Sequence, residues 1–288
     1  MIRNRLTERY LEDLVSGGRI GPGELPALAA ADGGLAGTSY RNRCLTRPVF
    51  LEHHELERLE QDLGQLHAAL TALPQRLFGG DLGAFARATG MTEAQAGAIL
   101  RTAGQPPTRL ARGDIYHDGT NFRLMEFNMG SALGGFDNAA LNQVLVKHPS
   151  IAQFVADHQL SYVDTMAELA RMLRSACVTA DGQRPLVAVV DWPESFVALE
   201  ERLRASAQVL APLGIEAVPC HLGQLKFADG RVWIDGRPVD LIYRLFMIED
   251  VLDPTGPGLI DPVLAAVERD EVPIFVPMDA EMYGSKAA

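Results

Sequence analysis

Cysteine is scarce in this chain: only Cys44, Cys177 and Cys220 occur, with no CxxC pair. That odd, scattered set argues against a disulfide framework or a structural zinc site, and for buried thiols in a reducing compartment. Long apolar runs are also missing, and none approaches the roughly 20 residues needed to span a bilayer. The N-terminus, MIRNRLTERYLEDLV, is charged throughout and lacks the apolar core of a signal peptide. A cytoplasmic location and no membrane partner are the expectations. Cations are in deficit, 26 Lys and Arg against 37 Asp and Glu, for a net charge of −11. Broad nucleic-acid binding needs a concentrated basic face and is not expected here. A phosphate ligand remains open, because two or three local cations and some backbone amides suffice. The 27 glycines and 17 prolines are scattered, so neither a low-complexity linker nor a repeat array is expected.

Hydrophobic residues at 47% and charged residues at 22% are ordinary for a globular protein. Apolar residues recur at helical spacing through Leu51–Leu73. Two shorter helices are predicted at Leu82–Ala88 and Glu93–Arg101, with Gly90 ending the first and Thr92 capping the second. From Arg112 to Asn128 the pattern is a hairpin, RGDIYH and NFRLMEFN around Asp118-Gly119. Helices follow at Ala139–Val146 and Tyr162–Ala176. After Pro185, short apolar runs (Leu186–Val190, Ile215–Pro219, Asp240–Phe246, Pro273–Val276) alternate with helical spacing at Ser195–Leu210 and Leu259–Arg269. A small hairpin is expected between Lys226 and Gly236. That alternation predicts a parallel, Rossmann-like sheet. The expected fold class is α/β, α+β overall: a helical region with an antiparallel hairpin over residues 1–180, then a Rossmann-like domain over 181–288. The boundary is placed near 178–185.

Alternate residues of a strand face the same side, so Arg112 pairs with Asp114 and Glu126 with Asn128. All four share one face only if the turn is odd in length. A three-residue turn at Asp118–Thr120 does this, whereas a two-residue turn at Asp118-Gly119 sets Asp114 and Glu126 on opposite faces. Converging carboxylates repel unless a hard cation lies between them, and magnesium prefers such oxygen ligands. Arg112 would stabilise phosphoryl oxygens. The small-residue loop that follows, Met129-Gly-Ser-Ala-Leu-Gly-Gly135, offers amides and the Ser131 hydroxyl to an anion. Charged residues on a hairpin are ordinarily a solvated face, but Glu126 stands between Met125 and Phe127 beside an apolar stretch.

At these residues the chain resembles the circularly permuted ATP-grasp ligases, the superfamily that includes glutathionylspermidine synthases. Arg112-Gly-Asp114, Glu126-Phe-Asn128 and Ser131 stand at that family's spacing. The resemblance implies that Asp114, Glu126 and Asn128 bind Mg2+. It also implies that Arg112 and Ser131, with Gly134 and Gly135, contact the carboxylate substrate or its acyl phosphate. The stretch from Asp235 to Arg244, then Asp261–Arg269 and VPIFVPMDAEMYGSK, is similar to the family's Rossmann-like pre-ATP-grasp domain. Arg244 is expected to meet either the nucleotide or a core carboxylate, and Lys286 to contact nucleotide. The implied activity is an ATP-dependent carboxylate–amine ligase acting through an acyl phosphate on an amino acid or peptide. In that family a further domain-sized stretch supplies the nucleotide clamp. The sequence stops where that stretch would begin, so the expectation is part of a ligase, with a missing C-terminal ATP-binding segment or a second chain.

Other classes leave fainter marks. A non-catalytic substrate-binding or scaffold protein of the same fold would keep the hairpin without turnover. Residues 82–100 fit a helix-turn-helix, yet the second helix offers Glu93 and Gln95 with few cations. The turn after Leu186–Val190, Asp191-Trp-Pro-Glu, has no glycines for a dinucleotide pyrophosphate. His53-His54 point different ways on a helix and do not share a metal.

Overall fold

The structure, a computed structural model, describes residues 4–285 apart from 22, 42, 46, 106–109 and 178–183. The helices of the first half are α1 (Arg5–Tyr10), continued by one wider turn at Leu11–Ser16, α2 (Glu24–Ala31), α3 (Leu35–Tyr40), α4 (His53–Thr71), α5 (Leu73–Phe78), α6 (Leu82–Ala88) and α7 (Glu93–Arg101). Strands β1 (Ala111–His117) and β2 (Phe122–Met129) form a two-stranded sheet. Then come α8 (Asn138–Leu145), α9 (Pro149–Asp157) and α10 (Thr165–Ala176). The rest alternates: β3 (Leu186–Asp191), α11 (Pro193–Leu210), β4 (Glu216–His221), β5 (Lys226–Ala228), β6 (Arg231–Ile234), β7 (Arg237–Pro238), β8 (Leu241–Arg244), α12 (Gly256–Glu268), β9 (Ile274–Phe275) and α13 (Ala280–Tyr283). The fold is a mixed α/β one, with antiparallel and parallel sheets. No helix among the described residues is long and apolar enough to cross a membrane.

The chain divides into two compact units, each discontinuous in sequence. One comprises Met1–Leu63, Gly113–Glu126 and Gly135–Leu169; the other comprises Gly64–Arg112, Phe127–Gly134 and Ala170–Ala288. This differs from a single boundary near 178–185, six of whose residues lie outside the described ones. The physical reason is core sharing. Phe85, Ala96 and Ile99 of α6 and α7 are buried with Val190, Phe246, Ile260 and Tyr283 in one apolar cluster, so these helices belong with the parallel sheet.

In the first unit, Tyr10, Phe50 and Phe154 pack ring against ring, with centroids 5.4, 5.7 and 5.5 Å apart, and Leu14, Leu25 and Ile151 fill in around them. Asn4 caps α1 through Oδ1, which accepts from the Thr7 amide at 2.9 Å, while its Nδ2 donates to the Phe50 carbonyl at 2.8 Å. One side chain thus starts the helix and ties it to the aromatic cluster.

In the second unit, Thr92 and Gln95 form a capping box on α7. Gln95 is buried, and its amide donates to the Ile248 carbonyl at 3.4 Å, which leaves this position of the helix-turn-helix pattern inside the core. The β3 run Leu186–Asp191 is wholly buried and central, as a strand covered on both faces should be. The sheet order is β4-β3-β8-β9, all parallel. Strand order reverses between β3 and β8, so Asp191 and Arg244 end the two strands that flank the switch point.

Candidate functional site

The sequence-predicted metal ligands lie on the hairpin: Arg112 and Asp114 on β1, Glu126 and Asn128 on β2. The odd-length turn expected at Asp118–Thr120 does not form. Four residues, 118–121, separate the strands, and the Asp118 amide donates to the Asn121 carbonyl at 3.0 Å. The Asp118 carboxylate causes this. Its Oδ1 accepts from the Thr120 and Asn121 amides at 2.9 and 2.8 Å, and its Oδ2 from Arg123 Nε at 2.7 Å. These donors hold its carboxyl well below the usual carboxylate range. His117 and Phe122 face each other across the turn, ring centroids 5.0 Å apart.

With an even turn, unbroken strand alternation sets Asp114 and Glu126 on opposite faces, so the convergence that an odd turn would give does not follow from the hairpin's parity. Arg112 and Asp114 are half-buried on β1; on β2 Glu126 is exposed and Asn128 half-buried. A Cβ on Gly113 would meet the Leu63 side chain at 3.1 Å, and Ala111, Phe127 and Met129 enter one apolar cluster.

The loop after β2 carries the predicted Ser131, Gly134 and Gly135. Ser131 is buried, and both its amide and its hydroxyl donate to Glu281 Oε1, at 3.2 and 3.0 Å. The small-residue loop thus does hold a carboxylate, one from the chain itself. Gly134 lies beside two guanidinium groups: a Cβ there would sit at ordinary contact distance, 3.5 Å from Arg202 Nη2 and 3.7 Å from Arg112 Nη1. Downstream, Gly284 presses on β2; a Cβ there would lie 2.7 Å from the Met129 carbonyl oxygen and 3.2 Å from its nitrogen. Both neighbours are backbone, so Gly284→Ala is expected to cost about 1–3 kcal/mol, measured by denaturant unfolding.

Arg244 is fully buried. Its Nε donates to the Val276 carbonyl at 2.7 Å, Nη1 to the Phe246 carbonyl at 2.7 Å and Glu281 Oε1 at 3.1 Å, and Nη2 to the Pro277 carbonyl at 3.1 Å. Of its two sequence-stated alternatives, the contact made is with a core carboxylate. Val276 takes a left-handed φ of 62°, costly for a β-branched residue, and the Arg244 hydrogen bonds on either side of its peptide hold it there. Lys286 lies outside the described residues.

Two further buried carboxylates, Asp191 and Asp279, lie in the same unit. Burial raises Asp191, whose Oδ1 accepts from the Trp192 amide at 2.8 Å. A buried carboxylate in that turn would repel a pyrophosphate, which agrees with the missing glycines. Burial also pushes Asp279 up to about 6, against the opposing pull of Arg244 and the Tyr283 hydroxyl. Its Oδ1 has no hydrogen-bond partner among the described residues. The unfolded carboxyl titrates near 3.9, so between roughly pH 4 and 6 the folded chain keeps a proton that the unfolded chain has lost. Stability from that proton is complete below about pH 4 and is lost as pH rises through about 6. Asp279→Asn is therefore expected to stabilise the chain at pH 7 by on the order of 1–3 kcal/mol, and by nothing near pH 4. Thermal melts of both proteins across that range check it.

Arg202 and Glu281 were not singled out in the sequence. Arg202 stands in an ordinary charged helix, ERLR, and nothing local marks it. Glu281 follows Asp279 in a short helix, and only the fold shows which loop it reaches. No group of three or more His, Cys, Asp or Glu that fits a metal ion occurs among the described residues; the predicted set has two carboxylates and an amide, and is smaller than that.

No family model matches the chain, and no curated protein matches it. Among solved structures, 26 chains match. One is a glutathione synthetase-like effector (GSS30) from Globodera pallida in its apo form, 15% identical, with a TM-score of 0.41, covering 80% of this chain. The chain spans 62% of that protein's length.

Proposed function

We propose that this chain is the metal-binding and acyl-phosphate-handling part of an ATP-dependent carboxylate–amine ligase. The observation that carries the reading is the hairpin. It carries Arg112 and Asp114 on β1 and Glu126 and Asn128 on β2, at the spacing of the resemblance described above, and the reading requires the two carboxylates to reach one ion despite the even turn. Asp114, Glu126 and the Asn128 carbonyl oxygen are hard oxygen donors, a set that fits Mg2+ better than a softer metal. Bound there, magnesium would offset the charge of the phosphoryl group that ATP supplies to activate a carboxylate.

The chain's own residues have separate tasks in this reading. Arg112 would hold acyl-phosphate oxygens with its planar fork, with Arg202 also close to Gly134. The amides of Gly134 and Gly135 would orient the carboxylate, while Ser131, the other residue expected there, is taken up by Glu281. Arg244 is a positioning group, gripping Glu281, which in turn holds Ser131. It is not assigned to nucleotide. Such chemistry asks a protein mainly for positioning and charge stabilisation. The substrates would be a small carboxylate and an amine, an amino acid or peptide, in the cytoplasm.

A phosphate-release assay with ATP, Mg2+ and a panel of amino acids and dipeptides tests this. Release that requires both a carboxylate and an amine supports the ligase. Magnesium binding without release under any pair would favour a non-catalytic scaffold.

A further inference from the structure

The first unit contains a cavity of about 660 Å³ that shares no residue with the hairpin. Its floor is aliphatic: Leu6 from α1, Leu51 just before α4, Leu56 in the first turn of α4, and Leu160 beyond α9. Its rim is cationic. Arg5 and Arg9 stand one helical turn apart on α1, both exposed and both lining the cavity, with His158 beside them. Two like charges at this spacing repel, and neither arginine makes a hydrogen bond or an ion pair among the described residues. The one acidic side chain in the lining, Glu52, lies 3.5 Å from His54 Nδ1 and is turned to that partner. In a chain of net charge −11, two unpaired arginines over an aliphatic floor are not what composition alone would place together.

We propose that this cavity binds an amphipathic organic carboxylate: a carboxylate head on Arg5 and Arg9, with an apolar body of several carbons on the leucines. An arginine pair suits a carboxylate because the guanidinium fork donates two parallel hydrogen bonds. One anion between the two arginines also removes their mutual repulsion. The leucine floor sets the chemical class, since a purely inorganic anion would leave that apolar surface in water. Polar side chains, among them His53, Gln159 and Ser161, share the lining with the leucines, as a ligand with both a charged head and an apolar body requires.

Isothermal titration calorimetry with sodium octanoate tests this on the whole chain. The expected result is saturable 1:1 binding with a dissociation constant of about 1 mM or tighter. The Arg5→Gln/Arg9→Gln variant should weaken it at least about tenfold, and Leu56→Asp, at an exposed position, should abolish it. Octanol and inorganic phosphate, each lacking one half of the ligand, should bind at least about tenfold more weakly. The proposal is overturned if octanoate fails to saturate, if the double arginine variant binds it as wild type does, or if phosphate alone binds as tightly. Circular dichroism of the variants shows that folding is kept, and magnesium binding by the hairpin is read separately, so neither outcome bears on the ligase assignment.

Discussion

Replacing Arg244 with methionine is expected to lower the stability of the folded chain by about 3–5 kcal/mol, the usual cost of removing one partner of a buried ion pair. The guanidinium makes four hydrogen bonds, three to backbone carbonyls and one to Glu281. Methionine fills much of the volume but donates nothing, so those acceptors lose their partner in a place with little water. Val276 would lose the contacts that hold its left-handed backbone. For a chain of this size the melting temperature should fall by roughly 10 °C. Glu281→Gln is the informative comparison. It keeps an oxygen for Ser131 and Arg244, and should cost only about 1–2 kcal/mol. A loss below about 1 kcal/mol for Arg244→Met would mean that the network is not the anchor described here.

The second large effect is on turnover. Glu126→Gln and Asp114→Asn each remove one negative charge with little change of shape. If these carboxylates hold the metal, magnesium-dependent phosphate release should fall by at least about 10²-fold in either variant, more than loss of an outer-shell partner costs. The double variant should lose little beyond the worse single one, because groups that act as a unit are not additive. Asp118→Asn provides the contrast. It alters the turn but no proposed ligand, and should change stability more than rate.

Much of the fold was legible because local signals agreed with tertiary packing. Helices at Leu82–Ala88 and Glu93–Arg101 form where the spacing placed them, with Thr92 as cap. The apolar run at Leu186 forms a central parallel strand. Helix α9 at Pro149–Asp157 escaped notice although Pro149 occupies a first-turn position, the place proline favours. The odd turn does not form because Asn121, which continues the strand pattern in sequence, belongs to the loop; its amide and carbonyl both serve it. The partition into units was likewise set by which core residues 64–110 join, a long-range choice with no local marker.

Of the candidate site, the residue types and their spacing are readable in the sequence. Their partners were not: Glu281 lies 150 residues from Ser131, and Arg202 approaches Gly134 from α11.

Magnesium titration by calorimetry, comparing wild type with Glu126→Gln, tests the central claim most directly. A single saturable site in the wild type that disappears in the variant, while the Arg5→Gln/Arg9→Gln protein binds magnesium normally, is the predicted result. Equal binding by wild type and Glu126→Gln, or none by either, would contradict the assignment of the hairpin as a metal site.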